Sequence, residues 1–165
     1  MDQHAPPVRE PVPARGAGAV PRRFVFVLLE QFTLLSFACA IEPLRIANRM
    51  AGRTLYSWVS VGEGGGSVRC SNGVEFLLDG DLGEIARDDT VMICGGIDIH
   101  RATTRRIVSW LRREARRGVP VGGLCTAGHT LARAGLLDGK RPTIHWEHQD
   151  SFPEEFDELI VAALC

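Results

Sequence analysis

Residues 118–128 (GVPVGGLCTAG) constrain this chain most, because they join a short apolar run to a glycine-bounded corner. The run that begins at Pro120 is typical of a buried parallel strand, and the residues after Cys125 predict the start of a helix. Small residues on both sides of Cys125 allow the tight strand-to-helix turn of a nucleophile elbow. Free N–H groups at a helix N-terminus favour the thiolate form of a cysteine. We therefore expect Cys125 at the centre of a functional site.

The rest of the chain alternates between strand-like and helix-like segments. Buried strands are predicted at 24–29, 54–61 and 90–94, a hairpin around Asn72-Gly73 over 68–78, and helices at 32–50, 79–87 (a turn and a short helix), 101–117 and 126–134. Pro43 is expected to bend or split the first helix. Each crossover is long enough for a right-handed βαβ unit, which predicts a three-layer α/β/α sandwich with a mainly parallel sheet. Sites in such sheets form outside the carboxyl ends of the strands.

The composition suits one globular domain without a disulfide framework. The chain has 165 residues, 45% of them hydrophobic, and a net charge of −1, which gives no reason to expect polyanion binding by the whole molecule. Its five cysteines show no C-x-x-C spacing, so neither disulfides nor a zinc site is suggested, and a reducing cytoplasm fits best. Five prolines lie in the first 21 residues, and we predict a disordered tail over 1–22 followed by one domain over 23–165.

The apolar stretch over 24–41 invites comparison with a membrane span. Glu30 and Gln31 interrupt it in the middle, and its two halves have strand-like and helix-like character. We therefore predict a strand, a turn and a helix, and no association with a membrane.

Three segments together resemble a known family. The segments VMICGG (91–96) and GLCTAGHTLARAGLLDGKRPTIHW (123–146) resemble the ThiJ/PfpI superfamily, which shares the flavodoxin-like fold of class I glutamine amidotransferases. Together with the end of the second segment, FTLLSFACAIEPLRIANR (32–49) is similar to the N-terminal domain of GlxA-type regulators of the AraC family. The resemblance runs from about residue 24 to 157. Since family domains continue with further sheet and a final helix, we expect C-terminal elements to be missing.

The resemblance implies roles for particular residues. Cys125 corresponds to the nucleophile of the enzymatic members, and His145 to the histidine near it. Backbone N–H groups of Gly96 and Thr126 would donate to an oxyanion, and Gly95 would line the same site.

One position departs from the family pattern in the first helix. Ser36 stands where many members carry the acidic residue that lies near the cysteine. A serine cannot share a proton with the thiol as a carboxylate does, so acid–base assistance by this route is in doubt. Glu42, the nearest carboxylate in the same helix, is the candidate substitute, although it lies most of two turns further on. We include Ser36 and Glu42 among the predicted ligand-binding residues.

These residues favour a non-catalytic function over an enzymatic one. The resemblance implies a small-molecule-sensing domain of an AraC-family regulator that responds to a nitrogenous metabolite and forms a homodimer. Contact with DNA would require a helix-turn-helix domain that this chain lacks, and no cofactor or metal is expected. The alternative is a cysteine-dependent hydrolase, amidase or glyoxalase of the ThiJ/PfpI type. A cysteine-based oxidant sensor is a third hypothesis.

Several smaller features leave alternatives open. Cys94 and Cys125 close two strands that we expect to be adjacent, which allows a redox pair but does not require one. His129 follows Cys125 by four residues and either reaches the pocket or packs under a loop. The His145-x-Glu147-His148 run matches no metal-ligand spacing. Residues 101–117 carry seven arginines and one acid, Glu114, a pattern typical of a solvated helix face or of phosphate contacts.

Overall fold

The computed structural model describes residues 20–143 and Phe156. The secondary-structure elements run in the order β1 (Arg22–Leu28), α1 (Leu34–Ala51), β2 (Tyr56–Val61), β3 (Ser67–Arg69), β4 (Glu75–Leu77), β5 (Thr90–Cys94), α2 (Ile99–Ala102), α3 (Arg105–Arg116), β6 (Val121–Leu124) and α4 (Gly128–Arg133), with a 3₁₀ turn at Cys125–Ala127 before α4. The predicted tail over 1–22 lies outside this description except for its last three residues, and the last of these, Arg22, already belongs to β1.

The centre of the domain is a four-stranded sheet in the order β2-β1-β5-β6. All three strand pairings within it are parallel, and their carboxyl ends align, with Leu28 opposite Cys94 and Cys94 opposite Leu124. Because parallel strands end at one edge, the loops after β1, β5 and β6 meet there. The mainly parallel α/β fold predicted from the sequence is confirmed.

Alternate residues of β1 face two separate cores on the two sides of the sheet. Val25, Val27 and Leu29 belong to the larger core, which the helices α2, α3 and α4 cover. Phe26 and Leu28 belong to the smaller core, which α1 and the β3–β4 hairpin cover. This alternation is the period-two pattern of a strand that is buried on both faces. It produces the three-layer arrangement.

The first helix runs without a break through Pro43. Of the two predicted effects of the proline, a split into two pieces is wrong, and a bend stays a prediction. Pro43 removes the hydrogen bond to the carbonyl of Cys39, but both residues lie on the exposed side of α1. Water can satisfy that carbonyl, which explains why the helix tolerates the proline.

Two further predicted elements differ from the structure. Residues 79–87 form no helix, because carboxylates in and beside this segment accept backbone N–H groups: Asp81 from Leu82 at 2.6 Å, and Asp89 from Ala86 at 2.9 Å. The helix predicted over 101–117 is divided into α2 and α3, since the Thr104 hydroxyl caps a new helix by accepting the Ile107 N–H at 3.1 Å.

The antiparallel hairpin of β3 and β4 matches its prediction, with Val68 opposite Phe76. Within residues 20–143, no helix combines the length and the apolar character that crossing a membrane requires.

Candidate active site

The strand-to-helix corner predicted around Cys125 is present. Strand β6 ends at Leu124 in extended conformation, and Cys125 follows with a φ of 56°, in the left-handed region that non-glycine residues seldom occupy. The chain then enters the 3₁₀ turn and α4. A strained, half-buried cysteine at the carboxyl edge of a parallel sheet is typical of a functional position.

The loop after β5 packs directly against this corner. A Cβ atom on Gly95 would lie 2.6 Å from the backbone nitrogen of Ala127 and 2.7 Å from the Thr126 hydroxyl oxygen. A Cβ atom on Gly96 would lie 2.8 Å from the backbone of Phe32. Both glycines are therefore required for the close approach of three loops. Sequence patterns do not reveal this requirement.

The buried Thr126 side chain joins two of the predicted site residues. Its hydroxyl donates a hydrogen bond to the carbonyl of Gly96 at 2.7 Å. The structure thus brings Gly95, Gly96, Thr126 and Cys125 together at one edge of the sheet. The use of the Gly96 and Thr126 N–H groups as oxyanion donors remains a prediction.

Thr33, at the start of α1, supplies a contact that the sequence analysis missed. Its hydroxyl oxygen lies 3.5 Å from the Cys125 sulfur. Its backbone N–H donates to the carbonyl of Gly95 at 3.0 Å, which ties α1 to the loop after β5. The signal available in the sequence was a threonine at the N-cap position of a helix that follows a buried strand.

Ser36 and Glu42, the two other site residues predicted in α1, have different surroundings. The hydroxyl of Ser36 donates to the carbonyl of Thr33 at 2.8 Å, one turn earlier in the helix. Glu42 is exposed and accepts a hydrogen bond from Arg45 at 2.8 Å, which holds the pKa of the Glu42 carboxyl below its usual value. Among residues 20–143, no carboxylate hydrogen-bonds to the Cys125 thiol.

Cys94 lies buried behind the site at the end of β5. Its burial, and secondarily the charge of Cys125, raise the pKa of the Cys94 thiol to about 12. Cys94 therefore stays protonated near neutral pH, and a thiol is a poor nucleophile compared with a thiolate. Cys94 and Cys125 are both free, and no disulfide joins them in the structure.

An open cavity of about 570 Å³ runs from Cys125 along the outer edge of β6. Its walls include the glycines of the corner and three leucines of the following segment: Gly122, Gly123, Gly128, Leu131, Leu136 and Leu137. Lys140 and Cys125 are the ionisable groups among the described lining residues. The cavity thus combines a thiol, an apolar wall and one cation.

Two predicted histidines have different outcomes. His145 lies outside the described residues, so its role near the thiol stays a prediction. His129 is buried, and its ring packs edge-on against the ring of His100 at 4.2 Å between centroids and against Phe156 at 5.6 Å. Helical spacing alone did not reveal this aromatic cluster.

The parallel sheet, the crossing helices and the cysteine at the strand-to-helix corner define a class of α/β domains with a cysteine elbow. The chain belongs to the DJ-1/PfpI family, whose family profile matches residues 22–161.

Similar proteins include transcriptional regulators. The chain is 42% identical over 142 residues to the HTH-type transcriptional regulator GbdR of Pseudomonas aeruginosa, a match that covers 86% of this chain and 39% of the relative. It is 41% identical over 139 residues to the HTH-type transcriptional regulator GlxA of Rhizobium meliloti, covering 84% of this chain and 43% of the relative. The chain thus spans about two fifths of the length of these relatives.

A solved structure shows the same fold. An AraC family transcriptional regulator from Pseudomonas putida superposes with a TM-score of 0.73 at 26% identity, covering 87% of this chain and 77% of that one.

Proposed function

We propose that this chain is the small-molecule-sensing domain of an AraC-family transcriptional regulator of the GlxA type. The observation that carries the proposal is the identity of 41–42% over more than four fifths of the chain with two HTH-type regulators. In this function the cavity beside Cys125 holds an effector in the cytoplasm. Binding of the effector shifts a dimer between states that differ in their affinity for DNA. A helix-turn-helix domain makes the contact with the DNA.

The surroundings of the thiol support sensing rather than hydrolysis. A cysteine nucleophile is normally activated by an adjacent general base or an adjacent charge. Within residues 20–143, the hydrogen-bonding contact to the Cys125 sulfur comes from the neutral hydroxyl of Thr33, and the Ser36 hydroxyl is bonded to a backbone carbonyl. Neither group takes a proton from a thiol at neutral pH. The described surroundings of the thiol thus supply no general base, which supports a site that holds a ligand without converting it.

The lining of the cavity favours an effector with a carboxylate. Lys140 places an ammonium group beside the apolar wall of Leu136 and Leu137. The carboxylate of a ligand would pair with the ammonium group of Lys140, and a short carbon chain would cover Leu136 and Leu137. Free amino acids combine these features with the nitrogen expected of a nitrogenous metabolite.

The test is a thermal-melting screen of the purified chain against free amino acids and, for contrast, alkylamines that lack a carboxylate. A ligand at a hundredfold its Kd stabilises the folded state by about 2.7 kcal/mol, which raises the Tm by roughly 5–10 °C. We expect amino acids, and not the amines, to produce such a shift. Lys140→Gln should weaken binding several-fold, whereas the neighbouring exposed Arg141→Gln, which removes the same charge, should leave it unchanged.

The enzymatic alternative predicts a different result. In that case the chain would hydrolyse a chromogenic amide or ester, and Cys125→Ser would abolish turnover. Turnover of that kind, or a complete screen without a shift, would overturn the sensing function.

A further inference from the structure

One face of α3 carries a continuous row of polar, exposed side chains. Arg105, Ser109, Arg112 and Arg116 follow one another at spacings of four, three and four residues, which places them on one side of the helix. Arg133 of α4 lines a shallow groove of about 330 Å³ together with Arg105, Ser109 and Arg112. We call these five residues the cationic stripe.

Two arginines of the stripe are held in place by backbone carbonyls. Arg112 donates from Nε to the carbonyl of Ala134 at 3.1 Å and from Nη2 to the carbonyl of Arg133 at 2.9 Å. Arg133 donates from Nη1 to the carbonyl of Thr103 at 3.3 Å. Each guanidinium has five N–H donors, so donors remain for an external anion while the orientation of the group is fixed.

The other arginines of the same helix are paired with acids. Arg106 bonds to Asp81, and Arg113 bonds to the buried Glu114 at 2.8 Å. In contrast, within residues 20–143, no carboxylate lies within ion-pair distance of an arginine of the stripe. A solvated helix face that is stabilised by salt bridges carries both signs of charge. Among residues 20–143, the acids neutralise the flank of α3 and leave the stripe positive.

We propose that the cationic stripe contacts the phosphate backbone of duplex DNA. The residues from Arg105 to Arg116 span about 16 Å along the helix, long enough to face several phosphates of a duplex that carries one charge per about 1.7 Å of its axis. Arginine and serine are common phosphate ligands, whereas a protein partner would need an apolar centre that the stripe lacks. The contact is independent of base sequence, since it is made to phosphates and not to base edges.

The inference rests on the proposed function, because it is the regulator that brings this domain close to DNA. The sensing domain would then add an electrostatic contact beside the site that a helix-turn-helix domain reads. This contact changes the affinity of the regulator for DNA and the orientation of the domain on it, but it does not select the base sequence.

The test measures fluorescence anisotropy of a labelled random-sequence 20-base-pair duplex with the 165-residue chain, without effector, at salt concentrations from about 20 to 200 mM. We expect salt-dependent binding. The double variant Arg105→Gln, Arg116→Gln should weaken it about tenfold at the lowest salt and reduce the slope of log K against log salt by about 2. Ser109→Glu, which adds a negative charge inside the stripe, should weaken it as well.

The control is Arg45→Gln, Arg49→Gln on α1, which changes the net charge by the same amount and should leave binding nearly unchanged. Thermal melting of each variant confirms the fold. The proposal is overturned if the unmodified chain shows no salt-dependent binding, or if the control weakens binding as much as the stripe variants do. The effector screen contains no DNA. A failure of the sensing function is therefore distinguished from a failure of the DNA contact.

Discussion

The Thr33 hydroxyl lies 3.5 Å from the Cys125 sulfur, although the two residues are 92 positions apart in the chain. The contact exists because the loops after β1 and β6 end at the same edge of the sheet. It places a neutral hydrogen-bonding group where an enzyme of cysteine-nucleophile type needs a base or a charge. Among residues 20–143, the side chain that hydrogen-bonds to the thiol is therefore uncharged.

Thr33→Val should slow the reaction of Cys125 with a chromogenic disulfide about fivefold, because a hydroxyl that donates to a thiolate contributes about 1 kcal/mol. Stability should change by less than about 0.5 kcal/mol, since the Thr33 side chain makes no capping hydrogen bond to α1. The rate is measured with Cys39→Ser and Cys165→Ser in the background, so that the exposed Cys39 does not contribute. Ser36→Ala is the matched control, and an unchanged rate in Thr33→Val would contradict the proposed contact.

Gly96→Ala should destabilise the domain by about 3 kcal/mol or more, because the added Cβ would press on the backbone of Phe32. Urea unfolding measures the loss. Gly83→Ala is the control, since a Cβ there meets only one atom, at 3.9 Å, and should cost less than about 0.5 kcal/mol. Equal stability of the two variants would mean that the loops after β1 and β5 are not packed as described.

Glu114→Gln should lower the free energy of unfolding by about 1–3 kcal/mol. The Glu114 side chain is fully buried, and its two oxygens accept from Arg113 at 2.8 Å and from Arg117 at 2.6 Å. Because both arginines are partly exposed, water solvates their guanidinium groups in the variant and offsets part of the lost stability.

The comparison is Glu84→Gln, whose side chain is 87% exposed and 3.5 Å from Arg117. This variant should lose less than about 0.5 kcal/mol. A similar loss in both variants, measured by denaturant unfolding, would show that burial of Glu114 does not matter.

Stability should fall at alkaline pH because of Cys94. Its folded-state pKa is about 12, above the ordinary value of 9.0, so the folded state retains a proton that the unfolded state releases between these values. The stabilising contribution is complete below about pH 9 and is lost at about 1.4 kcal/mol per pH unit as the pH rises toward 12.

The experiment compares the slope of the unfolding free energy against pH in the unmodified protein and in Cys94→Ala between pH 8 and 10.5. The variant should show the shallower slope, even though the lost side chain lowers its stability at every pH. Parallel curves would contradict the assignment to Cys94.

Local patterns were sufficient to predict most of the fold. The apolar composition of β1 and β5, the Asn72-Gly73 turn of the hairpin and the glycines around Cys125 each act over a few residues, so the sequence predicts them directly. The prediction of a short helix over 79–87 was wrong for a different reason, although the bonds that decide this segment are also local. Its backbone is held by carboxylates, among them that of Asp89, and patterns of hydrophobicity do not register such bonds.

The sequence by itself determined that this chain forms a parallel α/β domain with a cysteine at a strand-to-helix corner. Only the tertiary structure decided which of the described residues surround that cysteine and which acid pairs with an arginine on the flank of α3. Thr33 faces the thiol from 92 positions away in the chain, and Asp81 pairs with Arg106 of α3, 25 positions away. The physical reason is that hydrogen bonds and ion pairs act over a few ångströms, so they depend on the packing of segments that are far apart in the chain.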